Sequence, residues 1–373
     1  MTDAKKKSRA RDVFEKIGLV LASIVFFLLA AELGARALSD EVDTFAFKNF
    51  ALSKLLLFQS AFPASYDPEL GWIPTPGYSS SRNQWNKKVT IDDDGLRVTN
   101  PGEFPGPPII TLGDSFMFGD EVDDEDSMPA RLEARLNQRV LNAGVFGYGI
   151  DQAVLRGERM LEKHDPAWVI LMIVPEDVWR QMLRIRTGVE KPLFDLVDGK
   201  LVLTNVPVSP TRPSIDDVGL GRKVFGYSYL VDWTYRRLNR AKEWYIGDFP
   251  EHYAYNDGEK AQKIGCMLIR RLGEKLKARG IRGIITSAYS RPATQAPTTN
   301  EYLDPTHRML DCGASAGMLK FDTHPTFHRI ASSDPKKSAT LFVDGRGHFS
   351  RAGNDLVAEK MQALITGTST LTF

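Results

Sequence analysis

Ile109-Ile110-Thr111-Leu112-Gly113-Asp114-Ser115-Phe116-Met117-Phe118-Gly119 decides how the chain is read. Its first four residues are apolar or β-branched and read as a short buried strand. Gly113-Asp114-Ser115 breaks that strand, and a helical pattern resumes near Met128. A serine on the turn leaving a buried strand lies at the carboxyl end of the sheet, where open α/β folds place their ligands. That is where a nucleophile would sit. Gly-Asp-Ser is also ordinary turn chemistry, so the reading needs partners elsewhere in the chain.

The same rhythm continues downstream. Ser127 caps a helix expected from about Met128 to Arg139, and Val140-Leu141-Asn142 is a second strand running into the glycine-rich stretch Ala143 to Gly149. Asp151 caps a helix to about Lys163. Trp168 to Ile173 is the clearest buried strand, followed by Val174-Pro175-Glu176-Asp177. A helix from about Ala261 to Arg279, strands at Gly283 to Thr286 and Met318 to Asp322, and a final helix from about Arg351 to Ile365 complete the series. Alternating strands and helices predict a parallel sheet with helices on its faces. Between residues 179 and 258 the rhythm breaks. That stretch reads as an insertion, with a hairpin turning on Asp198-Gly199 and an amphipathic helix from Tyr229 to Tyr245. Two roles fit it: a lid beside the site, or packing against the sheet edge.

Composition narrows the classes. The 373 residues allow one large domain or two ordinary ones, and 42% hydrophobic content supports a core. A net charge of +1 gives no reason to expect nucleic acid. Cys266 and Cys312 are too few for a disulfide scaffold, and two buried thiols are expected in preference to one disulfide.

Lys5-Lys6-Lys7-Ser8-Arg9-Ala10-Arg11 precedes an uncharged apolar run from Ile17 to Ala31. Counted from Val13 through Leu38, the stretch is long enough to cross a bilayer. The basic flank is expected to stay in the cytoplasm and the rest of the chain to be exported. Ala35-Arg36-Ala37 is loosely like a signal-peptide cleavage site, but Arg36 and Glu32 beside it favour an uncleaved anchor. The chain thus divides into a basic stub with anchor (1–38), an extended approach segment containing Gly71-Trp72 (39–108), and the domain that begins with the quoted stretch (109–373).

A serine hydroxyl needs a base to take its proton. Histidine is the usual one, and a carboxylate then fixes the imidazole tautomer. Among six histidines, His348 has Asp344 just upstream, in a glycine-flanked loop before a helix. His324 and His328 have the spacing of two helix-borne metal ligands, but Pro325 argues against a regular helix there, and no carboxylate-rich motif accompanies them.

Taken together, Ser115 in Gly-Asp-Ser, the Asn142-Ala143-Gly144-Val145-Phe146-Gly147 loop, the Pro175-Glu176-Asp177 turn, and Asp344 with His348 resemble the ordered blocks of the SGNH (GDSL-type) hydrolases over about residues 109 to 365. With the anchor and Gly71-Trp72, the chain looks like a bacterial membrane-tethered branch of that family. The resemblance implies a three-layer α/β/α sandwich on a five-stranded parallel sheet, behind an amino-terminal transmembrane helix. It implies attack by Ser115 on an acyl or acetyl ester of a small molecule, glycan or lipid, with His348 as base and Asp344 as its orienting acid. The backbone N–H groups of Ser115 and Gly147 would form the oxyanion hole, and no metal or organic cofactor is needed. Localisation would be single-pass in a bacterial inner membrane with the domain exported. An O-acyltransferase would use the same acyl-serine.

Two positions depart from the family pattern. Glu176 stands where the family carries an asparagine that donates to the oxyanion. An ionised glutamate only accepts hydrogen bonds and could donate only if an apolar pocket kept it protonated. Three residues, Gly345-Arg346-Gly347, separate Asp344 from His348 where the family has two. If Glu176 abolishes the chemistry, the fold would serve as a catalytically silent binding or assembly protein.

Overall fold

The computed structural model describes residues 2–39, 42–55, 62–186, 188–210, 214–247, 258–297, 300–345 and 347–368. Two compact units emerge: residues 1–57 with 213–250, and residues 58–212 with 251–373.

The larger unit is built on strands β1 (Ile109–Leu112), β2 (Val140–Asn142), β3 (Trp168–Ile173), β4 (Arg282–Ser287) and β5 (Leu319–Phe321). They pair in the order β5-β4-β3-β1-β2, all parallel. The order reverses between β1 and β3, and open α/β sheets bind ligands at that crevice beyond the strands' carboxyl ends. Side chains alternate between the faces, as the strand period of two requires. Ile110, Leu112, Val169, Leu171, Ile173 and Ile285 pack on one face against helices α2 (Ile150–Lys163), α3 (Gly258–Ala278) and α4 (Asp304–Ser315). Ile109, Ile170, Met172, Ile284 and Phe321 pack on the other against α1 (Met128–Leu136) and α5 (Arg351–Thr366). The result is a three-layer α/β/α sandwich. Strands β2 and β3 have the bounds their apolar runs predict, while α1 stops earlier than expected, at Asn137 in the left-handed conformation (φ 49°).

The approach segment is no mere tether. The Trp72 indole donates to Phe146 O at 3.0 Å, and Tyr148 Oη donates to Trp72 O at 2.6 Å. Trp72, Val89 and Ile91 share a buried cluster with Phe118, Val145, Phe146 and Tyr148. These contacts clamp the loop after β2 and the turn after β1 from outside the sheet.

Two further sequence expectations fail among the helices of this unit. Cys266 on α3 and Cys312 on α4 are joined in a disulfide instead of lying as free thiols. Their helices pack side by side with a Cα separation of 5.3 Å, within disulfide reach. His324 and Pro325 open a helix, His324–Ser333, because proline is tolerated in a first turn that has no partner for its N–H.

In the smaller unit, the amino-terminal helix runs from Thr2 to Ala37, and its Val13–Ala37 stretch is apolar and long enough to cross a membrane. The helix expected from Tyr229 to Tyr245 is two, Tyr229–Arg237 and Ala241–Ile246, because Asn239 adopts the left-handed conformation (φ 56°).

Candidate functional site

Strand β1 ends at Gly113, whose φ of 152° and close neighbour fit only glycine: a Cβ there would lie 2.6 Å from Met172 O. The tight turn leads into a one-turn helix, Ser115–Phe118, capped by Asp114, which accepts the Phe116 N–H at 3.0 Å. Ser115 thereby sits at the sheet's carboxyl edge beside the order reversal. His348 comes from the loop before α5. Its Nε2 lies 2.8 Å from Ser115 Oγ, so the hydroxyl donates to the ring in the tautomer that carries its proton on Nδ1.

The acid on the other ring nitrogen is not the one expected. His348 Nδ1 lies 2.8 Å from Glu121 Oε2, and the same oxygen accepts the His348 backbone N–H at 3.1 Å. Asp344 is exposed, in the left-handed region with φ 49°. The loop's own hydrogen bonds explain this. Val343 N–H donates to His348 O and Gly347 N–H to Val343 O, each at 2.9 Å, which closes a tight turn with Asp344 on its outside. Gly347 also makes room for the true partner, since a Cβ there would sit 2.7 Å from Glu121 Oε2. Glu121 itself holds φ 68°, a conformation uncommon outside glycine and found at constrained sites.

What constrains it is Arg97, a fully buried side chain of the approach segment. Its guanidinium donates to Phe118 O at 3.0 Å, to Gly119 O, to Val122 O at 2.7 Å and to Asp124 Oδ1 at 3.1 Å. Asn142 Nδ2 adds a bond to Phe118 O at 3.1 Å. The turn that carries Glu121 is therefore held by carbonyl contacts on both sides.

The Glu121 and His348 pKa values shift in opposite directions. The hydrogen bond from His348 holds the Glu121 carboxylate below its usual range, against the opposing effect of burial. For His348, burial lowers basicity, but the Glu121 hydrogen bond and the charges of Asp120, Glu121 and Asp114 outweigh it, and the net shift is upward. Asp120 is fully buried behind the pair. Burial pushes its carboxyl up to about 7, although the His348 and Arg97 charges pull the other way. Among the described residues its Oδ1 has no hydrogen-bond partner.

The oxyanion side is mixed. Gly147 adopts φ 76° in the loop after β2. Among the described residues, no acceptor takes the backbone N–H of Ser115 or of Gly147, so both donors are available. Glu176 is exposed and accepts the Tyr302 hydroxyl at 2.5 Å. Beside it, Arg180 Nη1 bridges Asp114 Oδ2 at 2.9 Å and Asp177 Oδ1 at 2.8 Å. Asp114 Oδ2 is also 3.4 Å from Ser115 Oγ, so one carboxylate oxygen separates the guanidinium from the hydroxyl. Glu176, Trp179, Arg180 and Arg186 line a cavity of about 440 Å³.

The rival histidines are spent elsewhere. His324 Nε2 lies 3.2 Å from Ala293 O, and His328 Nδ1 lies 2.9 Å from Thr294 O. Among the described residues no group of three His, Cys, Asp or Glu side chains is arranged to hold a metal ion.

No protein-family model and no curated protein matches the chain. Among solved structures, an acetyl xylan esterase, AlAXEase, is similar at 13% identity with a TM-score of 0.41, over 69% of this chain and 99% of that one. A catalytic mutant of Axe2, an acetylxylan esterase from Geobacillus stearothermophilus, is similar at 16% identity with a TM-score of 0.39, over 69% and 94%. The lipase/acylhydrolase from Enterococcus faecalis stands at 14% and 0.37, over 70% and 97%. At these values the chemistry has to be read from the geometry alone.

Proposed function

We propose that the protein is a membrane-anchored serine esterase or deacylase that works through an acyl-serine. The observation that carries this is the continuous relay Glu121–His348–Ser115, with both links at 2.8 Å. In the first step, His348 Nε2 takes the Ser115 proton while Oγ bonds to the ester carbonyl carbon. The negative oxygen that forms is met by the Ser115 and Gly147 N–H groups. As the tetrahedral carbon collapses, the carbon–oxygen bond to the leaving alcohol breaks and His348 returns the proton to that alcohol. Water then repeats the sequence on the acyl-serine and releases a carboxylic acid. Glu121 acts as the orienting acid. It fixes the ring tautomer and stabilises the imidazolium without itself gaining the proton.

Arg180 supports electrostatic help on the oxyanion side, where Glu176 offers an acceptor only. The Glu176–Tyr302 contact is also the one observation that favours the alternative, a silent fold used for binding. An O-acyltransferase would differ only in the second step, a sugar hydroxyl taking the place of water. The apolar Val13–Ala37 helix supports anchoring with the domain exported, and the Cys266–Cys312 disulfide fits an oxidising compartment.

An active-site serine phosphonate, with the intact protein weighed by mass spectrometry, tests the reading. One adduct on the parent chain and none on Ser115→Ala is expected. Folded parent protein that takes up no phosphonate refutes an activated serine and leaves the binding role.

A further inference from the structure

The charges that end the apolar helix are not idle. Glu32 accepts four hydrogen bonds: from Arg36 Nε at 2.6 Å, Ser228 Oγ at 2.7 Å, Tyr229 N–H at 2.7 Å and Leu230 N–H at 2.9 Å. Two of these donors are the first backbone N–H groups of helix Tyr229–Arg237, so the carboxylate caps that helix. Arg36 completes the grip, donating to Ala46 O at 2.6 Å and Tyr227 O at 2.8 Å. The end of the anchor thus holds segments 42–55 and 214–247 in one unit.

Their height along the helix follows from geometry. From Val13 to Glu32 an α-helix climbs about 29 Å at about 1.5 Å per residue. A bilayer's hydrocarbon layer is about 30 Å thick. Glu32 therefore lies where that layer ends, on the side opposite the basic stub. Around it stand exposed apolar and aromatic side chains: Phe45 and Phe47 are 87% and 88% exposed, Leu38 90% and Trp233 41%. Phe47 stacks on Tyr227, and the Arg237 guanidinium lies 5.2 Å from the Trp233 ring centre. Leu38, Leu230, Trp233, Arg236 and Arg237 line a cavity of about 640 Å³ beside the helix end. Aromatic rings with arginines are the residues that suit the headgroup layer, ring towards acyl chain and guanidinium towards phosphate.

We infer that segments 42–55 and 214–247 form a collar seated in the headgroup layer of a phospholipid bilayer, continuous with the anchor. The inference rests on the anchor reading above. It gives the 214–247 part of the inserted segment a lipid partner. Helices of this kind lie with their apolar side about 5–10 Å into the interface.

Depth measurement on the full chain tests it. With Cys266 and Cys312 joined, a single introduced cysteine is the only thiol to label. Nitroxides at Phe45→Cys, Trp233→Cys, Val25→Cys and Lys200→Cys are read for oxygen against nickel-chelate accessibility in phosphatidylcholine–phosphatidylglycerol vesicles. Position 200 is the aqueous reference and position 25 the lipid one. Ratios at 45 and 233 several-fold above that at 200 and below that at 25 are expected. Aqueous ratios at 45 and 233 with a lipid ratio at 25 would overturn the collar and leave the anchor standing. An aqueous ratio at 25 would overturn the anchor reading and the collar with it.

Discussion

The two sides of the candidate site are finished to different degrees. On the His348 side Ser115 Oγ, both ring nitrogens and Glu121 Oε2 have partners at short range, and a buried arginine holds the turn beneath them. On the Glu176 side an exposed carboxylate accepts from Tyr302, and Arg180 beside it is already shared between two carboxylates. Proton transfer depends on distances of a few tenths of an ångström, so it needs a built relay. Oxyanion stabilisation depends on summed charge and dipoles, so two backbone N–H groups and one guanidinium can stand in for an amide. Under the proposed mechanism, the contrast teaches that the first side would set whether chemistry occurs and the second how fast.

The largest expected effect breaks the relay at its acid. Glu121→Gln should lower kcat by about 10⁴-fold, as for loss of the orienting carboxylate in a serine triad. The pH profile makes the test specific. In the proposed mechanism the working form of His348 is neutral, and its pKa is raised in the parent protein. Activity should therefore rise with pH through a limb above the ordinary histidine value. Removing the Glu121 charge should move that limb to lower pH while the plateau falls. A Glu121→Gln enzyme with parental kcat would refute the assignment of the acid.

Next comes the weaker side. Arg180→Gln should reduce kcat by about 10²-fold with little change in KM, the size of effect seen when one oxyanion contributor is lost. Glu176→Asn should act in the opposite direction and raise kcat, because it replaces an acceptor with a donor. A fall on Glu176→Asn would mean that the Tyr302 hydrogen bond is needed in place, and the two sides would then be equally built.

Asp120 lies behind the relay and sharpens the comparison further. Burial pushes its carboxyl up to about 7, and its charge is among those that raise His348. The protonation of each group is therefore expected to affect the other through charge. Asp120→Asn should remove one negative neighbour of His348, shift the acid limb of kcat/KM to lower pH and make it less steep, with a plateau near the parent's. A limb unchanged in position and slope would show that the buried carboxyl does not communicate with the ring.

How much of this could be read from the chain follows a physical line. Strands β2 and β3 and the positions of Ser115 and His348 were legible because they depend on local pattern: apolar runs for buried parallel strands, glycines at sharp turns. Glu121 was not. It sits among Asp120, Asp123, Asp124, Glu125 and Asp126, and nothing local distinguishes the one carboxylate that meets a histidine 227 residues away. Arg97 was equally silent, since a buried arginine is defined by the carbonyls around it. The one available hint was negative: the extra residue between Asp344 and His348 already spoiled the expected geometry. The cysteines were misread for a similar reason, because their pairing depends on how α3 and α4 pack.

The smallest expected effect is also the cleanest discriminator. Asp344 carries the acid in the pattern that the chain resembles, while here it is exposed on the outside of the turn that Val343, Gly347 and His348 close. Its charge is therefore largely screened by solvent, and it should contribute little to the relay. Asp344→Asn is expected to leave kcat, KM and the acid limb within experimental error of the parent. A drop comparable to that of Glu121→Gln would mean that the loop rearranges when substrate binds and that Asp344 replaces Glu121 at Nδ1. The pair of variants measured side by side thus decides which of two carboxylates, one near His348 in sequence and one near it in space, does the work.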